Sequence, residues 1–199
     1  ELKQIVDFGK RNNILICNDN PYAFILNENQ QSILQFNHSK THILELNSLS
    51  KSHNMAGWRL GMIGAKKELI EAILKVKSNM DSGMFFPVQK AAITALHLPD
   101  SWYKNINKNY NKRRKIIWEI LDFLDCSYSK SSGGMFVWAK LPSKEESSFT
   151  FSDKILNKYG VFITPGDIFG SNGKGYIRPS LCNNEETLQI VKERLQKNK

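Results

Sequence analysis

Residues 2–17 impose the strongest constraint on what this chain can fold into. Leu2, Ile5 and Val6 recur at helical spacing. Arg11-Asn12-Asn13 breaks the pattern, and Ile14-Leu15-Ile16-Cys17 follows as a short, wholly apolar run. A strand that is apolar on both faces must be covered on both, which calls for helices above and below a sheet. Helix, turn and buried strand make one step of a doubly wound α/β domain. The chain does not start with Met and opens in the middle of such a step. We therefore expect more sheet upstream and read the chain as a fragment.

The α/β texture continues. Residues 42–46 and 61–65 are expected strands. A helix is expected over 66–80, with Leu69, Ile70, Ile73, Leu74 and Val76 turned inward. Pro87 suits the first turn of a helix reaching about residue 98. Asp100 or Ser101 can cap a longer helix to about residue 124. That helix has Ile106, Tyr110, Ile117, Ile120, Leu121 and Leu124 inward and Arg113, Arg114 and Lys115 outward. Shorter elements follow: a strand at 136–138, a polar loop at 144–148, a helix at 152–159, strands at 161–164 and 175–178, and a helix at 185–196 capped by Asn183 or Asn184. We expect a domain boundary near residue 105.

Composition excludes several classes. A hydrophobic fraction of 41% and a charged fraction of 24% fit an ordinary globular protein. No apolar run approaches the roughly 18 residues of a membrane helix. The net charge of +9 comes from Lys scattered along helices, not clustered with aromatics. A solvated basic surface is the expected reading; a nucleic-acid face is not, and attraction of anionic ligands stays open. Cys17, Cys126 and Cys182 are odd in number and far apart, with no metal-ligand spacing. No metal site is expected, and a reduced, cytoplasmic protein is the simplest reading.

Two clusters carry chemistry. Ser48-Leu49-Ser50-Lys51 leads through Asn54-Met55-Ala56-Gly57-Trp58-Arg59-Leu60-Gly61 directly after an expected strand. A reactive Lys needs its amine partly neutral, through burial or a nearby cation. A strand-end loop with Arg59 close could supply both. Ser48 and Arg59 could grip a phosphate, since hydroxyls and a guanidinium fork match its oxygens. Taken alone, the segment reads more readily as a structural loop. Asp19-Asn20-Pro21-Tyr22 is the second cluster, at the carboxyl end of the first strand, where open α/β sheets bind ligands. It also has strong turn chemistry, and by itself it reads as a turn.

Together the clusters resemble the fold-type I pyridoxal-phosphate (PLP) enzymes, in particular the class I/II aminotransferases. The shared pattern is Asp19-x-x-Tyr22, then roughly thirty residues on Ser48-x-Ser50-Lys51, then Arg59 eight residues past the Lys. Thr164-Pro165-Gly166-Asp167-Ile168-Phe169-Gly170 and Tyr176-Ile177-Arg178-Pro179-Ser180 extend the match downstream. The resemblance implies part of a PLP-transferase large domain over 1–104, a mostly parallel sheet with flanking helices, then a small α+β domain over 105–199. It implies that Lys51 forms a Schiff base with PLP and acts as catalytic base. It implies that Asp19 keeps the pyridine nitrogen protonated, that Tyr22 bonds the ring O3′, and that Ser48 and Arg59, helped by Ser50, hold the phosphate. Arg178 would clamp the substrate α-carboxylate. The implied reaction moves an amino group between an α-amino acid and a 2-oxo acid, in a homodimer. The family's amino-terminal part also supplies a loop under the phosphate, an aromatic stacked on the ring and an Asn to O3′. None is found here, so the isolated fragment is expected to bind PLP weakly and to be inactive.

Three other readings remain: a PLP-dependent lyase or decarboxylase, the effector-binding domain of a PLP-dependent transcription regulator, and a catalytically dead interaction fragment. His53 is read as loop packing, Gly133-Gly134-Met135-Phe136 as structural, and Trp102 and Trp118 as packing residues. Gly173-Lys174-Gly175 is no phosphate-binding P-loop, because Ile168 stands where that motif needs Gly.

Overall fold

Helix α1 spans Leu2–Asn12 and buries Val6 and Gly9. It ends at Asn13, which takes the left-handed conformation and lets the Ile14 N–H bond the Gly9 carbonyl at 2.8 Å. This stop lies later than the sequence suggests and delays strand β1 to Ile16–Asp19, leaving Ile14 and Leu15 exposed. The computed structural model describes residues 1–36, 43–142 and 147–197. The chain divides into two compact units, Glu1–Tyr103 and Lys104–Lys199.

The first unit carries a three-stranded sheet in the order β1-β2-β3, with β2 at Ile43–Ser48 and β3 at Gly61–Ala65. His42, the expected start of β2, lies outside the described residues. Strands β1 and β2 are parallel, with Ile16 opposite Ile43 and Asp19 opposite Leu46. Strands β2 and β3 are antiparallel, with Ser48 opposite Gly61 and Leu44 opposite Ala65. The described sheet is thus half antiparallel rather than mostly parallel. Between β2 and β3 run only the four-residue helix α2, Leu49–Ser52, and a 3-10 turn at Ala56–Trp58. Neither is long enough to carry the chain back across a sheet face, as a parallel crossover requires.

Two small cores hold this unit. Val6, Ile33 and Ile43 join α1 to β2. Leu49, Met55, Leu60, Ala92 and Ala95 join the α2 segment to helix α4, Phe86–Leu96. Buried Glu45 accepts from the Ile33 N–H at 2.8 Å and from Asn18 Nδ2 at 2.9 Å. Helix α3, Lys67–Met80, was expected to turn Leu74 and Val76 inward, yet they are 55% and 63% exposed. The other expected inward residues, Leu69, Ile70 and Ile73, are only partly buried.

Helix α5, Asp100–Phe123, has its first turn in the first unit and the rest in the second, where it buries Ile106, Tyr110, Ile117, Ile120 and Leu121. Arg113 and Arg114 do not point freely outward. Arg113 Nη1 donates to the Leu181 carbonyl, while Arg114 Nη1 bonds the Ser132 carbonyl and its guanidinium lies over the Trp118 ring. Four antiparallel strands follow in the order β4-β5-β7-β6: β4 at Ser127–Tyr128, β5 at Ala139–Lys140, β6 at Thr164–Pro165 and β7 at Tyr176–Arg178. The expected strand at 136–138 is reduced to a single bridge between Phe136 and Ser180. Pro179 gives its carbonyl to the Val137 N–H but has no N–H to return, which breaks the ladder there. The expected strand at 161–164 survives only as β6.

Helix α6, Ser148–Tyr159, starts earlier than the sequence indicates because the Ser147 hydroxyl accepts from the Thr150 N–H and caps it. The expected polar loop before it lies mostly outside the described residues. Helix α7, Glu185–Lys197, is capped by Asn184, whose Oδ1 accepts from the Thr187 N–H at 2.8 Å.

Candidate active site

In the first unit the chemistry collects at one end of the sheet. Asp19 ends β1 and Ser48 ends β2, and these strands are parallel, so both residues stand at carboxyl ends. The antiparallel return sets Gly61 opposite Ser48, which brings Arg59, two residues earlier, to the same end. Arg59 takes φ +53, the left-handed region, uncommon for a side chain other than Gly or Asn. Its Nη1 donates to the Ala56 carbonyl at 3.1 Å.

Ser48 is the cap of α2. Its Oγ accepts from the Ser50 N–H at 3.1 Å, lies 2.9 Å from Ser50 Oγ and donates to the Leu60 carbonyl at 3.2 Å. Lys51 follows on this one-turn helix, half-buried, with its Nζ over the Tyr22 ring at 6.0 Å from the centroid. Tyr22 and Asp19 are exposed. The structure therefore brings Asp19, Tyr22, Ser48, Ser50, Lys51 and Arg59 to one end of one sheet. The donor set suits PLP: two hydroxyls and a guanidinium for a phosphate, a carboxylate for a pyridine nitrogen, an amine for an aldehyde.

His53, read from sequence as loop packing, is buried and bonded at both ring nitrogens. Nδ1 lies 2.8 Å from Ser52 Oγ and Nε2 lies 3.1 Å from the Tyr103 hydroxyl. Burial holds its pKa below the ordinary 6.5, against the Ala95 carbonyl, which pulls it upward.

Arg178 belongs to the second unit. Its guanidinium is sandwiched by Phe136 and Phe169, 4.1 Å from each ring centroid. Its Nε is buried with no hydrogen-bond partner among the described residues. Phe169 is fixed by a 3-10 turn at Gly166–Phe169, which Ser148 pins by donating to the Asp167 carboxylate and accepting from the Asp167 N–H. Gly166 and Gly173 pass so close that a Cβ on either would strike the other's carbonyl. Phe136 and Phe169 sit inside motifs recognised in the sequence, but their partnership with Arg178 was not foreseen. The available signal was an aromatic in each segment beside the expected carboxylate clamp.

Among the described residues no helix is long and apolar enough to cross a membrane, and no group of three or more His, Cys, Asp or Glu residues could hold a metal ion. Cys17, Cys126 and Cys182 are in no disulfide among the described residues.

Comparison with known proteins agrees with this geometry. The sequence model of a family described as aminotransferase class I and II matches residues 1–195. The LL-diaminopimelate aminotransferase of Aquifex aeolicus is 39% identical over 195 residues, covering 97% of this chain and 50% of that protein. The enzyme of the same name from Moorella thermoacetica is 36% identical over 197 residues, covering 98% and 50%. Among solved structures, BacF from Bacillus subtilis superposes with a TM-score of 0.89 at 32% identity, over 100% of this chain and 51% of that one. The aromatic aminotransferase from Pyrococcus horikoshii gives 0.86 at 28%, over 98% and 53%. The chain spans about half the length of the curated relatives it matches. With a family match running from the first residue to residue 195, and the motif residues gathered at one sheet end, the chain belongs to the class I and II aminotransferase family.

Proposed function

We propose that the protein containing this chain transfers an amino group between an α-amino acid and a 2-oxo acid, using PLP attached to Lys51. The observation that supports the reading best is the convergence of Lys51, Tyr22, Asp19, Ser48 and Arg59 at the carboxyl end of β1 and β2. PLP, when bound, supplies an electron sink for the substrate α-carbon. The chain's own residues do the rest. Asp19 holds a proton on the ring nitrogen by charge. Tyr22 orients the ring through its hydroxyl. Ser48, Ser50 and Arg59 bind the phosphate and fix register. Lys51 holds the cofactor and, once released, carries a proton to and from the α-carbon. Arg178, its plane held between Phe136 and Phe169, binds the substrate carboxylate with paired N–H donors.

The sequence and structural relatives support transamination over the lyase, decarboxylase and regulator readings. Residues 1–104 then form part of the PLP-binding large domain and 105–199 a small domain. LL-diaminopimelate is the first amino acid to test, because curated relatives carry it in their names. The same resemblance carries a homodimer, and cysteines outside any disulfide suit a cytoplasmic setting.

The test is borohydride reduction of the intact gene product with PLP, mapping of the adduct by mass spectrometry, and an assay with 2-oxoglutarate as acceptor. An adduct on Lys51 with double-displacement kinetics is expected. A folded protein that leaves Lys51 unmodified ends the assignment.

A further inference from the structure

Helix α2 carries Lys51 but is only four residues long. A single turn has no stability of its own, so tertiary contacts must set its orientation. Two of these come from consecutive residues in the first turn of α5. Trp102 Nε1 donates to the Ser52 carbonyl at 3.0 Å. The Tyr103 hydroxyl lies 3.1 Å from His53 Nε2, and the two rings meet edge-on with centroids 5.5 Å apart. His53 passes the link back through Nδ1 to Ser52 Oγ, so both residues that follow Lys51 are tied down.

Tyr103 has a second contact. Its ring stacks on Phe24, with centroids 5.0 Å apart and planes at 25°. Phe24 lies two residues from Tyr22, in a segment of turns rather than helix or strand. One aromatic side chain thus bonds the Lys51 segment through its hydroxyl and packs on the Tyr22 segment through its face. Simple core filling needs the face alone. The hydroxyl is the polar part and calls for a partner where it is withdrawn from water; burial first, and then the nearby Asp100 carboxylate, pushes its pKa up, so it stays neutral. It is matched by a buried imidazole one position from the helix that carries Lys51.

We propose that Tyr103, acting through His53 and Phe24, is a positioning residue that sets the Lys51 amine against Tyr22. The inference rests on the reading of Lys51 as the cofactor lysine. In this role Tyr103 acts through its neighbours and not on substrate or cofactor. It fixes the spacing of two groups, one on a segment of turns and one on a single helical turn, that share no backbone hydrogen bond among the described residues. The positioning role predicts that removing the hydroxyl alone changes how Lys51 reacts, with the ring still packed.

The experiment uses the intact gene product in wild-type, Tyr103→Phe, His53→Gln and doubly substituted forms. Without cofactor, the rate of Lys51 acylation by an amine-directed reagent is followed by mass spectrometry. With PLP, the dissociation constant and the pH midpoint of the visible band are measured, and borohydride maps the adduct. Each single substitution is expected to change the Lys51 acylation rate and the PLP dissociation constant by about two- to ten-fold, the range of one lost hydrogen bond. Each should also move the midpoint, and the double variant should add little, because both remove the same link. Unchanged acylation rate, affinity and midpoint in Tyr103→Phe overturn the proposal, as do additive effects in the double variant. No adduct on Lys51 in wild type overturns the cofactor reading itself, and this outcome is separate because it appears before any substitution. Tyr103→Phe keeps the ring and its stack, so the test does not depend on a variant that empties the core.

Discussion

The two units bury their apolar residues differently. In the second unit Ile120, Leu121, Ile177, Leu181 and Leu195 are all 2% exposed or less, and they come from a helix, a strand, a loop and another helix. Its core closes on itself. The first unit has two separate small cores and leaves large apolar side chains in the open: Met80 is 79% exposed, Phe85 72% and Phe86 63%. The second unit also leaves single apolar side chains in the open, with Phe162 65%, Ile168 56% and Phe149 50% exposed, so the two units differ in how their buried residues group rather than in exposure as such. The same unit holds the whole candidate cofactor set, whereas the second contributes one cation held in an aromatic sandwich. The candidate cofactor set thus lies in the unit with two small cores, and the single candidate substrate residue in the unit whose buried residues come from four separate elements.

Substitutions at the two chemical centres give the largest test of this contrast. Lys51→Ala in the intact gene product is expected to abolish the PLP-derived visible band and turnover altogether. Arg178→Ala should leave the band and raise KM for the amino acid by about ten- to a hundred-fold, the range of lost charge-assisted hydrogen bonds. Steady-state kinetics beside absorbance spectra separate the two. Equal loss of the band in both variants would break the division of labour.

Core truncation comes next. Leu121→Ala, fully buried on α5, should cost about 2–5 kcal/mol in urea unfolding, through lost burial and the cavity left behind. Phe85→Ser in the first unit should cost no stability, because the ring is already solvated and Ser at this N-cap position can accept from a first-turn N–H of α4, while raising the solubility of the 199-residue chain. A large loss of stability from Phe85→Ser would show that this face is covered in solution.

The smallest effect is a pH dependence confined to the first unit. His53 has its folded pKa below the ordinary 6.5 because burial disfavours the cation. Below 6.5 the unfolded chain then binds more protons than the folded one. Stability is full above 6.5 and falls as the pH drops from there toward the folded value. His53→Gln should flatten this slope, read as the urea midpoint across pH 5–8. A stability that rises on acidification over that window would contradict the buried, neutral imidazole.

Much of the candidate site was legible from residue order. The spacing of Asp19, Tyr22, Ser48, Lys51 and Arg59 was visible because strand-end loops keep their functional residues close together in the chain. Helices α5 and α7 were visible through periodicity and capping, with Asn184 bonding the Thr187 N–H as an N-cap should. Strand lengths were not, because a ladder depends on its partner: Pro179 lacks the N–H that would have extended pairing at Phe136–Trp138, a fact about the facing strand. The inward face of α3 was misjudged for a related reason. Periodicity shows that a helix has an apolar stripe, and only neighbouring chain determines whether the stripe is covered.

Sequence by itself determined the family, the identity of the candidate reactive groups and their order, because these are carried by residue type and local spacing. Tertiary structure alone decided three things. It set β3 antiparallel, bringing Arg59 beside Ser48. It closed Phe136 and Phe169 over Arg178 from two distant segments. It joined His53 to Tyr103 across fifty residues. The first is a strand pairing and the other two are meetings of side chains far apart in the chain; all are set by how strands pair and helices pack, and no local pattern encodes them.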